Sequence, residues 1–386
     1  LAPTAPEIDP INGTDPITGT AEPGSTVTVT YPDGTTATVV AGTDGSWTVP
    51  NPGLNDGDVV TATATDAAGN ESVPATEVVD ALAPTAPEID PINGTDPITG
   101  TAEPGSTVTV TYPDGTTATV VAGTDGSWTV PNPGLNDGDV VTATATDAAG
   151  NESVPATEVV DALAPTAPEI DPINGTDPIT GTAEPGSTVT VTYPDGTTAT
   201  VVAGTDGSWT VPNPGLNNGD VVTATATDAA GNESVPATEV VDALAPTAPE
   251  IDPINGTDPI TGTAEPGSTV TVTYPDGTTA TVVAGTDGSW TVPNPGLNNG
   301  DVVTATATDA AGNESVPATE VVDALAPTAP EIDPINGTDP ITGTAEPGST
   351  VTVTYPDGTT ATVVAGTDGS WTVPNPGLND GDVVTA

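Results

Sequence analysis

The chain has 386 residues, with no lysine, arginine or histidine against 54 acidic residues, a formal net charge of −54. Neutralising phosphate needs basic side chains, so direct nucleic-acid binding is excluded, and adsorption to an anionic membrane is disfavoured on the same ground. The absence of cysteine rules out disulfides and thiolate metal sites, and no stretch approaches the roughly 20 apolar residues that span a bilayer.

The text repeats. Leu1, Leu82, Leu163, Leu244 and Leu325 open near-identical copies with a period of 81 residues. This divides the chain into repeats at 1–81, 82–162, 163–243 and 244–324, with a truncated fifth at 325–386 that stops inside a strand. No signal-like segment opens the chain, so it reads as an excerpt of a longer protein. The copies differ at one position: Asp56 and Asp137 become Asn218 and Asn299, and aspartate returns at Asp380.

In the first copy, residues 5–12 form an extended segment interrupted by Pro6 and Pro10, which suits an edge strand. A turn at 12–15 leads to a second strand at 16–22, and Pro23-Gly24 reverses the chain. Residues 25–31 are the clearest strand. Val27, Val29 and Tyr31 alternate with threonines, so one face is apolar and the other carries hydroxyls. Pro32-Asp33-Gly34 is a hairpin turn into a fourth strand at 35–41. A fifth, at 46–50, places Trp47 and Val49 inward. A loop rich in turn formers then precedes a sixth strand at 59–65, the turn at 66–70 and a last strand at 71–79. No helical stripe appears, and 44 glycines and 44 prolines punctuate every candidate window.

Seven short strands separated by frequent turns predict an all-β chain of seven-stranded Greek-key sandwiches, one per repeat. The predicted core is Ile8, Ile17, Val27, Val29, Val39, Trp47, Val49, Val60, Ala62 and Val73. A domain of this size buries only about 60 to 65% of its unfolded surface. With 11 or 12 acids per complete unit and no side-chain cation to pair them, it has little stability in reserve.

The ordered motifs carry a resemblance. The run from Asp15 through Ile17, Gly19 and Glu22 to Gly24 is followed by Trp47. Then come the turn of Asp66, Gly69, Asn70 and Ser72, and a linker ending Ala83-Pro84-Thr85-Ala86-Pro87. Together these resemble the bacterial immunoglobulin-like repeats of giant surface adhesins of the biofilm-associated type. The resemblance implies an extracellular stalk on the bacterial cell surface that supports adhesion and biofilm formation, with calcium often bound where domains join.

Sandwich topology locates those joins. The top of the second repeat presents Glu103, Asp125 and the turn at 147–152 to the linker. The bottom of the first presents Asp15, Asp33, Asp56 and Asp58, with Asp80 in the linker itself. Unpaired carboxylates gathered there would raise one another's pKa or recruit a cation. The expected interdomain cation site pairs Asp80 with Asp147, with Asn151 or Glu88 and linker carbonyls completing the shell. Asp161 with Asp228 and Asp242 with Asp309 repeat it. Asp323 has no partner turn in this sequence, so the fourth join is expected to be the most flexible. In the alternative reading the same acids are only turn formers and solubilising surface. Neither an EF-hand ladder nor the glycine-rich calcium nonapeptide is present.

Catalysis has little to stand on. No Cys or His is available, a serine would lack a base, and carboxylate pairs in turns, copied five times, make a poor glycosidase. Trp47 and Tyr31 read as core rather than sugar platforms. The threonine ladders read as outward strand positions, with a flat ice-binding face as the other possibility. The sequons at Asn12 and Asn70 matter only where the chain is made in a glycosylating compartment. The expected function is therefore a rod-like extension region that is not an enzyme, each unit adding roughly 35 to 40 Å. Its expected partners are calcium or other cations, with no nucleic acid and no membrane insertion in this stretch. In the alternative reading the repeats themselves bind glycans or neighbouring adhesin copies.

Overall fold

The computed structural model describes all residues, Leu1–Ala386. Two compact units are present, residues 1–171 with 175–241, and residues 172–174 with 242–386. Each complete repeat has the strand pattern of the first: β1 (Glu7–Ile8), β2 (Ile17–Thr20), β3 (Thr26–Thr30), β4 (Thr36–Val40), β5 (Ser46–Val49), β6 (Val59–Thr65) and β7 (Ala75–Val78). They form two sheets, a three-stranded one in the order β1-β2-β5 and a four-stranded one in the order β4-β3-β6-β7, all ladders antiparallel. This is the expected sandwich.

The period-two pattern explains the faces. Along β3, Val27 and Val29 are fully buried while the threonines between them face outward, and β6 repeats this with Val60, Ala62 and Ala64. Trp47 is 3% exposed and lies across Gly19, its partner in register. A Cβ on Gly19 would fall 2.4 Å from the Trp47 ring and 2.1 Å from the Glu7 carbonyl, so only glycine admits the indole there. The indole Nε1 is buried without a hydrogen-bond partner in all five repeats. Tyr31 is buried too, its hydroxyl donates to the Pro50 carbonyl at 2.6 Å, and desolvation pushes its pKa up.

The core departs from expectation at the last strand. Val73 is 71% exposed, and Ser72 is buried in its place. The Ser72 hydroxyl accepts from the Ala64 amide at 2.9 Å and donates to the Val73 carbonyl, so it fastens the sheet where Pro74 prevents a regular ladder. The last strand therefore starts at Ala75, after one isolated bridge from Thr65 to Glu71. The first strand is likewise shorter than read. It covers two residues, and Ile11 then crosses to the other sheet in a parallel bridge with Val79. Ile11, Leu54 and Val79 join the core as a result.

The fifth repeat keeps the three-stranded sheet, but its second sheet has two strands, Thr350–Thr354 and Thr360–Val364, with Thr385 adding a single bridge to Thr354. Val383 is exposed.

Candidate inter-repeat seam

The turn between β6 and β7 builds itself. Asp66 Oδ1 accepts from the amides of Ala68 (2.8 Å) and Asn70 (2.9 Å), and Asn70 Nδ2 donates to Asp66 Oδ2 at 2.8 Å. Gly69, at φ 86°, supplies the left-handed residue that closes it. These hydrogen bonds, that of the Asn70 side chain foremost, hold the Asp66 carboxyl below its usual pKa.

The second repeat has the same turn, with Asp147 Oδ1 accepting from Ala149 and Asn151 and Asn151 Nδ2 donating to Asp147 Oδ2 at 2.8 Å. Here the amide does one thing more. Asn151 Nδ2 also donates to the main-chain carbonyl of Asp80, at 2.7 Å, across the join. The adjoining Gly150 rests on the preceding repeat, where a Cβ would lie 3.4 Å from Asn12 Nδ2 and 3.9 Å from Asp15 Oδ2. Ala149 and Asn151 are half-buried, whereas Ala68 and Asn70 are exposed.

The lower side of the seam is equally ordered. Asn12 Oδ1 accepts from the amides of Thr14 and Asp15, Asn12 Nδ2 donates to Asp15 Oδ2 at 2.7 Å, and Asn51 Nδ2 donates to the Asn12 carbonyl. At the next join Asn232 Nδ2 donates to the Asp161 carbonyl at 2.7 Å, and in return Asn93 Nδ2 donates to the Ala230 carbonyl at 3.0 Å. Within the second unit, Asn313 donates to the Asp242 carbonyl and Asn174 to that of Ala311. At these two joins the clamp is reciprocal, one side-chain amide from each side; at the first join Asn151 alone donates across. In a chain without a basic side chain, asparagine is the natural donor for such a contact.

Three hydrogen bonds hold the linker where it leaves its repeat. Asp80 N–H donates to the Ile11 carbonyl, Ala81 N–H to Asp56 Oδ1 at 3.1 Å, and Leu82 N–H to Asp80 Oδ1. Ala162 is held by Asp137 in the same way, and Ala324 by Asn299 Oδ1 at 3.0 Å. Only an oxygen acceptor is needed, so aspartate and asparagine are interchangeable there. That explains the single kind of difference between copies.

The sequence-predicted residues fall into two groups. Asp80 with Asp147, Asp161 with Asp228, and Asp242 with Asp309 do come together, each pair through one asparagine amide. Asp80 contributes its carbonyl, while its carboxylate turns to Leu82. Glu88 lies on the first strand of its own repeat and accepts from Thr101. Asp33, Asp58 and Asp125 cap their own turns through Thr35, Asn55 and Ser127. No group of three or more Asp, Glu, His or Cys side chains is placed to hold a metal ion. Sequence reading missed Asn12 and Asn93; the signal for them was the absence of any charged donor in this chain.

Fold and seam together define a tandem immunoglobulin-like sandwich protein. A scan against protein families matches the bacterial Ig domain at residues 2–80, 83–161, 164–242, 245–323 and 326–386, and the chain belongs to that family. A comparison with curated proteins returned no match. Among solved structures, a chain described as "Biofilm associated protein - BSP domain" aligns over 85% of this chain and 97% of its own, at 12% identity and a TM-score of 0.22. So low a score carries no argument about arrangement or function.

Proposed function

We propose that this chain is part of the extension region of a bacterial cell-surface adhesin, a stalk that holds a binding domain away from the cell and supports adhesion and biofilm formation. The observation that carries this reading is the recurrence of one seam: Asn151 to Asp80 and Asn232 to Asp161 meet with the same atoms at the same 2.7 Å. A recurring contact between near-identical units would set one repeat at a constant angle to the next, which is what a spacer requires. The work is mechanical and extracellular, and no reaction is assigned to it.

Calcium stiffening of the joins belongs to the same proposal on narrower ground. The Asp80 carbonyl and Asp147 Oδ2 already converge, but on an amide N–H. Turning that amide would present Asn151 Oδ1 instead, giving three oxygens where calcium takes six to eight, with water supplying the rest. The fit is partial, since no second carboxylate closes the site. Small-angle scattering and thermal melting with calcium or with a chelator test it. Calcium is expected to lengthen the particle and raise the melting point, and unchanged curves would remove calcium from the account while leaving the stalk intact.

A second reading rests on the outer face of the four-stranded sheet. There Thr36, Thr30, Thr61 and Thr76 stand in one row and Thr38, Thr28 and Thr63 in the next, flanked by exposed Val40, Val59 and Val78. These rows carry no acid in a chain with 54 of them. A neutral face of that kind suits direct contact with neutral glycans or with neighbouring copies. Glycan binding or bead aggregation by the full chain, abolished by Thr28→Asp with Thr63→Asp and their equivalents, would favour it over a pure spacer.

A further inference from the structure

The turn at 12–15 contains the dipeptide Asn12-Gly13, repeated as Asn93-Gly94, Asn174-Gly175, Asn255-Gly256 and Asn336-Gly337. Asparagine followed by glycine is the pair most open to spontaneous deamidation, because glycine puts no side chain in the way of the attacking backbone nitrogen. The five sites are identical in local sequence, and those at Asn12, Asn93, Asn255 and Asn336 share the same internal hydrogen bonds, from the amides two and three residues on to Oδ1 and from Nδ2 to the aspartate three residues on. Their surroundings differ. Asn12, Asn93 and Asn174 are 5%, 6% and 5% exposed, because the turn of a following repeat covers them, and Asn93 and Asn174 each donate to a carbonyl of that turn. Asn255 and Asn336 are exposed and have no such cover.

We propose that this Asn–Gly pair is a deamidation site gated by the join: protected where a neighbouring repeat is docked on it, reactive where it is not. In the reaction the backbone nitrogen of Gly256 attacks Cγ of Asn255 and ammonia leaves, closing a succinimide. Water then opens the ring at either carbonyl. The net change is one water consumed and one ammonia released, with aspartate or isoaspartate formed. No oxidant or enzyme is needed. The consequence is directional, since the product is a carboxylate, which cannot donate to the carbonyl that Asn93 and Asn174 reach. A turn left undocked thereby loses the donor with which it would dock, and the repeat gains another negative charge.

The two remaining Asn–Gly pairs, at Asn218 and Asn299, serve as an internal control. There the attacking nitrogens are engaged, Gly219 N–H donating to Val241 and Gly300 N–H to Val322, both at 2.8 Å. They should stay intact in the folded chain.

The experiment is incubation of the full chain at mildly alkaline pH, followed by cleavage after glutamate and mass spectrometry of the peptide 8–22, which is identical in all five repeats. Deamidation should be biphasic, two fifths of that peptide gaining about one mass unit several-fold faster than the rest. Asn255→Ser with Asn336→Ser should abolish the fast phase. Gly231→Ala, strained at φ 90° in the turn that covers Asn93, should raise it to three fifths, with circular dichroism reporting that the fold is kept. A single phase over all five copies, or a fast phase that survives the double substitution, would overturn the proposal.

Discussion

The turn at 66–70 and the turn at 147–151 have the same sequence and the same internal hydrogen bonds, yet only the second touches another repeat. The free copy is already in the docked conformation. Docking therefore orders nothing new; it adds one donor to a waiting carbonyl and half-buries two residues, so the conformational cost of joining is small. The bond formed is correspondingly modest, about 1 kcal/mol for a neutral hydrogen bond. Each repeat has a core of its own, so the bond at the join adds little to holding the domain together.

That separation can be broken from either side. The largest effect should come from the core. Trp128→Ala removes an indole that is 3% exposed and should cost its repeat about 3 to 5 kcal/mol, read as an early transition in thermal melting. Trp128→Phe is a sharper probe, because the indole N–H has no partner to lose; it should cost far less than the alanine substitution, and equal losses would mean that the N–H is engaged.

Next comes the turn. Asp147→Ala and Asp66→Ala delete the same internal hydrogen bonds and should lower the melting point by similar amounts. Only the former should alter scattering, since only that turn is docked. If both leave scattering unchanged, the seam does not set the geometry. A smaller effect is expected on acidification. Hydrogen bonds from their own turns depress the carboxyls of Asp33, Asp44 and Asp66 and of several equivalents, so their contribution is present above the unfolded pKa, near 4, and is lost as pH falls through the lower folded values. In high salt, where mutual repulsion is screened, stability should fall below about pH 4. A rise there would show that repulsion still dominates. The smallest effect is Asp137→Asn, which keeps the oxygen that holds Ala162 and should change neither melting nor scattering.

Much of this was legible in the sequence, for reasons that differ by region. The alternation in β3 and β6 declares the buried face directly, and the period declares the number of repeats. Val73 misled because Pro74 interrupts the strand and the Ser72 hydroxyl turns inward, reversing the alternation that a continuous strand would have kept. Ile11 and Val79 were hard to place because their bridge is parallel and crosses between sheets, which no local pattern announces. At the seam, charge pointed to Asp80 and Asp147, and topology put them on facing ends. What joins them is an amide, and charge counting has no term for a neutral donor.

The central proposal is that the asparagine amide donated across each join fixes the angle between the repeats it links. Small-angle scattering of the full chain beside an Asn151→Ala, Asn232→Ala, Asn313→Ala variant tests it most directly, both with chelator present. The variant should melt at nearly the same temperature but show a shorter, broader distance distribution; superimposable curves would contradict the account.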